Sequence, residues 1–475
     1  MNKFMRGVTH YWTQFTLILG TIVLLVAAGA GSIPSVHAAS SGDWSTYLRD
    51  NGRSGFNAAE TIINQTTAPK LKLHWTYAAG GAISTQPVEV KGLIYWGSWD
   101  GYEHATNLTG TQVWATMLGT TTDTNCSPPT VGVASTATVA SVVINGTATL
   151  MDFVGGGNGQ FYALNATTGA IIWRNTLGSP PSHFLWSSPA LYHGSIYEGM
   201  ASFGDCPLVQ GQLIQLNAAT GAIQHIFKVV PNVCTGGGVW GSPAIDGATG
   251  MLYFATGNGG SCSTAEPYAT AIVQLRASDL AFVDSWQSPL AHRLPDSDFG
   301  TTPTLFSATI QGVSHQLVGA ENKDGKYYAL DRANIGKGPI WKATLAVSGE
   351  CPQCGQGGIS PSAWDGSTLY AAGGNTTIKG SSCQGSLRAL NPATGAFSWQ
   401  YCMTSGPVLG AVTAVPGVVT VGQGTYLTVL SASSGALLYS HQVTTGGGKF
   451  YGAASISNGI LYIGHANGKL YAFGL

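Results

Sequence analysis

The amino-acid sequence predicts an all-β fold: one eight-bladed β-propeller of four-stranded antiparallel blades, with the last blade closed by an N-terminal strand. Three observations carry the prediction. First, a unit recurs along the chain, as in Asn165 to Trp173 and Asn391 to Trp399. It is an apolar strand, a tight turn headed by Asn or Asp and ended by Gly, and a second strand finishing in an aromatic residue. Second, a signal in the same phase, most often Ser or Thr before Pro, marks an earlier strand start in each unit; it occurs eight times, at the roughly 40 to 60 residue period of propeller blades. Third, only 9% of residues are charged, 44% are hydrophobic and 66 are Gly, which favours strands and turns over helix or disorder.

Taken in order, Lys3 and Arg6 precede an apolar run from Phe15 to Ala30 and then Val36-His-Ala38, the pattern of an export signal. Cleavage is expected after Ala38, which makes 1–38 a signal peptide and 39–475 a single propeller domain. The product is then secreted or extracytoplasmic, in the periplasm or at the cell surface, with no membrane span after cleavage. Residues 71–75, Leu-Lys-Leu-His-Trp, read as a fourth strand with no third before it. The unit turns follow at Asn107 to Gly110, Asn165 to Gly169, Asn217 to Gly221, Asp331, Asn391 to Gly395 and Ser431 to Gly435. In each, Gly supplies a positive φ and the Asn or Asp side chain caps the turn.

The strand starts are Ser84-Thr-Gln-Pro87, Ser135-Thr-Ala, Ser188-Pro189, Ser242-Pro243, Thr302-Pro303 and Ser360-Pro361, with degenerate copies near Ala411 and Ser455. The last stretch, Gly468 to Leu475, is a third strand without a fourth. Pairing it with residues 71–75 completes the eighth blade and removes an exposed edge. The formal net charge is -1 with no basic cluster, so nucleic acid and anionic membrane surfaces are poor candidates as partners.

Eight cysteines in an exported chain predict disulfides, with the pairing left open. Cys351-Pro-Gln-Cys354 has the spacing of a metal or redox motif, yet no second Cys or His pair faces it. Gly355 stands where a c-type haem motif requires His, so no covalent haem is expected.

Val239 to Gly259 is the stretch with the most chemistry. Two apolar runs flank the turn Asp246 to Gly250, which makes a β-hairpin. Trp240 lies before it and Asn258 after it, an aromatic face and a side-chain amide at the two ends of one hairpin. The bland alternative is a packed Trp and a turn Asn.

The Ala-Leu-Asn-x-x-Thr-Gly-x-x-x-Trp signature resembles the repeat of quinoproteins that depend on pyrroloquinoline quinone (PQQ), and the resemblance covers nearly the whole mature chain. Trp240-Gly-Ser-Pro-Ala…Tyr253-Phe-Ala-Thr-Gly-Asn258 is similar to a segment of PQQ-dependent alcohol dehydrogenases. The resemblance implies that Trp240 is the floor under the quinone and Asn258 a ligand of a catalytic calcium ion. Asp296-Ser-Asp298-Phe-Gly resembles the segment of the family's catalytic aspartate, which nominates Asp298 as base and metal ligand. By the same likeness Lys323 contacts the quinone oxygens and Ser187 binds the cofactor's carboxylates. Asn51-Gly-Arg-Ser-Gly55 and Tyr95-Trp-Gly-Ser-Trp99-Asp-Gly101 resemble polyvinyl-alcohol dehydrogenases in particular.

These implied roles suit the residue types. Calcium favours carboxylate and amide oxygens, an unperturbed Asp is ionised at neutral pH, and a flat tricarboxylated quinone needs an apolar face and cationic or hydroxyl donors. The implied activity is oxidation of an alcohol, bulky or polymeric ones included, by hydride transfer to PQQ with calcium assistance. With no haem of its own, the chain needs a separate electron acceptor such as a cytochrome or quinone.

Two departures stand against this. Ser202 occupies the place of a calcium-binding Glu, so Asp205 is the substitute ligand only if the insertion from Asp205 to Gln210 folds inward. No adjacent Cys pair exists to cover the quinone, only Cys126 in the comparable region. The competing expectation is a non-catalytic extracellular propeller that binds protein or polysaccharide.

Overall fold

The computed structural model describes residues 42–260 and 262–475; the predicted signal peptide lies outside the described residues. Eight antiparallel sheets form the blades of a propeller. Blades 1 to 7 occupy 88–117, 138–176, 190–228, 244–287, 304–344, 363–403 and 413–442, and blade 8 combines 455–474 with Lys72–Ala78. Each has four strands except blade 3, where His183–Phe184 adds a short fifth beside Ala201 and Ser202. Closure is as expected: Lys72–Ala78 pairs antiparallel with Lys469–Gly474, from Lys72 opposite Gly474 to Ala78 opposite Lys469.

The recurring turn has a second task beyond reversing the chain. Trp114 of blade 1 donates its indole N–H to the carbonyl of Ala166 in the turn of blade 2, at 2.9 Å. Trp173 does the same to Ala218 of blade 3 at 3.0 Å, and Trp75 of blade 8 to Leu108 of blade 1 at 2.8 Å. At Gly169, with φ +72, an added Cβ would come within 2.7 Å of the Trp114 ring. The turn glycine is therefore required both by its left-handed backbone and by the indole of the preceding blade. Apolar side chains fill the gaps between blades, as where Tyr197 and Leu213 of blade 3 meet Leu252, Phe254 and Val273 of blade 4.

Around the axis the strand starts form a belt. The N–H of Gln86 donates to Thr136 Oγ1, that of Thr136 to Ser188 Oγ, that of Ser188 to Ser242 Oγ and that of Ser242 to Thr302 Oγ1, at 2.8 to 3.0 Å. This explains the Ser/Thr signal in four of the units: the hydroxyls of Thr136, Ser188, Ser242 and Thr302 each link their blade to the one before.

Residues 44–57 bond to the first strand of every blade in turn. Trp44 exchanges N–H and C=O with Glu89 of blade 1, Ser45 accepts from Val139 of blade 2, and Asn51 reaches Leu191 and Ile245 of blades 3 and 4. Gly52, Ser54 and Gly55 accept from Leu305, Trp364 and Ala414 of blades 5 to 7, and the Asn57 amide donates to Ile456 of blade 8 at 2.9 Å. At its centre the fully buried Arg53 donates to the carbonyls of Tyr47, Pro189 and Pro243 at 2.7, 3.1 and 2.8 Å. We refer to this segment as the clasp.

Candidate functional site

A cavity of 520 Å³ opens on the axis. Its polar lining includes Asp205, Asn258, Asp296, Asp298, Lys323 and Glu350, and half-exposed aromatic faces come from Trp99, Trp186 and Trp240. A smaller chamber of 270 Å³ lies between Trp240 and Tyr47 of the clasp, with Ser188, Ser242 and Thr302 of the hydroxyl belt in its wall.

Trp240 precedes the inner strand of blade 4. Its indole lies over Gly300 at the start of blade 5, where an added Cβ would come within 2.2 Å of the ring. Asn258 follows Met251–Ala255; its carbonyl accepts from Gly237 at 2.7 Å and its N–H donates to Asp298 Oδ1 at 2.5 Å. Asp298 is buried, anchored by the fully buried Phe299 that follows it. Lys323 sits in the turn between the second and third strands of blade 5, its N–H bonded to the Asp298 carbonyl at 2.9 Å. Lys323 is buried, 7% exposed, and its ammonium donates to Asp296 Oδ1 at 2.6 Å and Asp298 Oδ2 at 2.9 Å and stands 5.6 Å from the centroid of the Trp240 ring.

The electrostatics follow from this packing. Burial alone would lower the Lys323 pKa, but Asp298 and Asp296 outweigh it and hold the ammonium above the usual lysine range. Burial, reinforced by the charge of Asp298 and opposed by Lys323, pushes Asp296 up to about 6. Asp205 is raised for the same first reason, burial, and then by Asp298.

The insertion after Ser202 does fold inward. Ser202 Oγ accepts the N–H of Val209 at 3.2 Å, Gly236 donates to the Val209 carbonyl at 2.8 Å, and a Cys126–Cys206 disulfide ties the loop to blade 2's long approach. Carboxylate oxygens of Asp205, Asp296 and Asp298 then lie within 4.8 Å of one another. The hydroxyl that stands where the resemblance expects Glu thus pins the loop that carries Asp205.

The structure brings Trp240, Asn258, Asp298, Lys323 and Asp205 together in one cavity, but not Ser187. The extended stretch turns Trp186 and Ser188 toward the axis, whereas Ser187 is fully buried beside Gly199 with its Oγ unpartnered. Asp296, Trp186 and Glu350 are among the lining residues that went unread in the sequence. Asp296 has a signal, its i, i+2 spacing from Asp298, and so does Trp186, which holds in blade 3 the place of Trp240 in blade 4. Glu350 has none, since it arrives on the loop between blades 5 and 6. All eight cysteines are paired, as Cys126–Cys206, Cys234–Cys262, Cys351–Cys354 and Cys383–Cys402.

Fold and cavity define a class: a β-propeller of linked repeats with an axial cavity. The chain belongs to the PQQ-repeat β-propeller family. A family profile described as "Outer membrane protein assembly factor BamB" matches residues 104–265 and 323–475, and one described as "Glucose/ethanol/alcohol dehydrogenase, beta-propeller domain" matches 228–345. The chain is 26% identical over 439 residues to a polyvinylalcohol dehydrogenase of Sphingopyxis sp. (strain 113P3), covering 80% of this chain and 63% of that protein. To a polyvinylalcohol dehydrogenase of Pseudomonas sp it is 24% identical over 470 residues, covering 86% and 69%. It thus spans about two thirds of the length of these relatives. The crystal structure of quinohemoprotein alcohol dehydrogenase from Comamonas testosteroni superposes with a TM-score of 0.70 at 18% identity, over 92% of this chain and 81% of that one, a likeness of fold. Among the described residues no helix is long and apolar enough to cross a membrane.

Proposed function

We propose that this chain is an extracytoplasmic quinoprotein that oxidises an alcohol, with PQQ resting on Trp240 and a calcium ion held by Asn258, Asp298 and Asp205. The observation that carries the reading is the convergence of Trp240, Asn258, Asp298 and Lys323 on one axial cavity. The residues suit both groups: a half-exposed indole face for a flat ring system, and hard oxygen donors for calcium, with Asp205 restoring the carboxylate that Ser202 lacks. When bound, PQQ supplies the two-electron acceptor and calcium a Lewis acid.

The chain's own residues then have distinct tasks. Asp298, oriented by the Asn258 N–H and the Lys323 ammonium, takes the proton of the substrate hydroxyl. Lys323 stays charged and presents a fixed positive site beside the Trp240 ring. Trp99 and Trp186 keep water from the reacting end. The names of the relatives favour a bulky or polymeric alcohol, and a separate cytochrome or quinone would receive the electrons. The export pattern and four disulfides support a location outside the cytoplasm.

Titration of the purified protein with PQQ and calcium should quench tryptophan fluorescence and confer alcohol-dependent dye reduction. Asp298→Asn should keep the quenching and lower dye reduction by roughly 10²- to 10⁴-fold. No PQQ binding at micromolar concentration would overturn the reading. It would favour the non-catalytic propeller, which the wide match to the assembly-factor profile makes the second reading.

A further inference from the structure

The Cys351–Cys354 disulfide is not used by the proposed reaction, yet it closes the turn Pro352–Cys354 directly on the cavity wall. Glu350, Pro352 and Gln353 all line the cavity. Glu350 Oε1 accepts the N–H of Asp296 at 3.3 Å, and the base of the loop is bonded to the site lysine, Gly349 N–H to the Lys323 carbonyl at 3.1 Å. From the other direction Lys449 Nζ of the glycine-rich loop before blade 8 donates to the Gln353 carbonyl at 2.8 Å. The turn therefore touches both acidic and basic parts of the site and one further loop of the mouth.

Two properties set this disulfide apart. Cys351 is half-buried and Cys354 exposed, whereas each of the other three pairs has one buried cysteine. Its sulfurs are thus the most open to an attacking thiolate, and access is one determinant of exchange rate. It also spans a sequence separation of only 3, against 80 for Cys126–Cys206, so it restrains little of the unfolded chain. Its contribution to fold stability is therefore the smallest of the four on chain-entropy grounds, while the residues it encloses, Pro352 and Gln353, line the cavity.

We infer that Cys351–Cys354 is a thiol-reducible latch whose opening loosens Glu350 and the Pro352–Gln353 wall and so weakens ligand binding in the axial cavity. The reductant is a dithiol. Its first thiolate attacks one cysteine sulfur and forms a mixed disulfide; its second thiolate expels the protein cysteine. Two electrons and two protons pass to Cys351 and Cys354, and the dithiol leaves as its own disulfide. The identity of the affected ligand rests on the PQQ reading; the selective reduction and the loosening do not.

The experiment treats the full protein with limiting dithiothreitol, traps thiols with iodoacetamide and maps the label by mass. Label on Cys351 and Cys354 ahead of the other six cysteines is expected, and label appearing first on another pair overturns the latch. PQQ with calcium is then titrated into the trapped protein and into a Cys351→Ser/Cys354→Ser variant. Affinity about tenfold weaker in both is expected, and unchanged affinity in both overturns the latch. If the untreated protein binds no PQQ, the quinoprotein reading fails, and hydrogen exchange over residues 323 and 347–357 decides the latch. Faster exchange after reduction supports it, and unaltered exchange refutes it.

Discussion

Glu103 and Asp152 face each other from blades 1 and 2 with Tyr95 nearby, and none of their four carboxylate oxygens has a hydrogen-bond partner among the described residues. Burial raises both, Asp152 to about 8. The folded state therefore holds the proton more tightly than the unfolded chain. The stabilisation is full below about pH 4 and is lost as pH rises through about 8. The thermal midpoint should fall from pH 6 to pH 9, and Asp152→Asn should flatten that slope. Gly300→Ala would push a methyl into the Trp240 ring, so PQQ affinity should drop at least tenfold in a fluorescence titration while the fold persists. Trp240, Asn258, Asp298 and Lys323 were legible because each sits at fixed spacing within a local segment. Asp205 was legible only conditionally, since the course of its loop depends on the Ser202–Val209 bond and a disulfide across 80 residues. Ser187 falls outside the cavity lining because one residue along an extended stretch reverses the side of the chain a group faces.

At the scale of elements, blades were readable and the clasp was not. Each repeat turn declares itself through local Asn and Gly, but nothing local in residues 51–55 says which blades they join; the blade residues they bond, from Leu191 to Ala414, are all distant in sequence. Arg53 is the element's most exposed dependency in energetic terms. Burial pulls its guanidinium down to about 10, and burial likewise raises the carboxyl of the fully buried Glu198 well above the usual range in spite of the Arg53 charge. Arg53→Met would leave the carbonyls of Tyr47, Pro189 and Pro243 without this donor and should cost at least about 1–3 kcal/mol in urea unfolding. Gly169→Ala tests the turn: its positive φ alone costs about 1–2 kcal/mol, with contact against Trp114 added.

For the whole molecule, closure was readable from the unmatched strands at the two ends of the repeat series, and Lys72–Ala78 does pair with Lys469–Gly474. Two independent devices, that pairing and the clasp, make the ring one cooperative body, so calorimetry should show a single unfolding transition. Deleting residues 469–474 strips blade 8 of its third strand and leaves Lys72–Ala78 unpaired; such a chain should show no folded baseline by circular dichroism. The clasp also sets an order in time. Its residues leave the ribosome before any strand they bond to, and the last of those partners, Ile456, comes some four hundred residues later. At the usual rate of synthesis, about 5–20 residues per second, the clasp waits at least tens of seconds for its eighth blade. The clasp can therefore be completed only after blade 8 has been made, however early the other blades form.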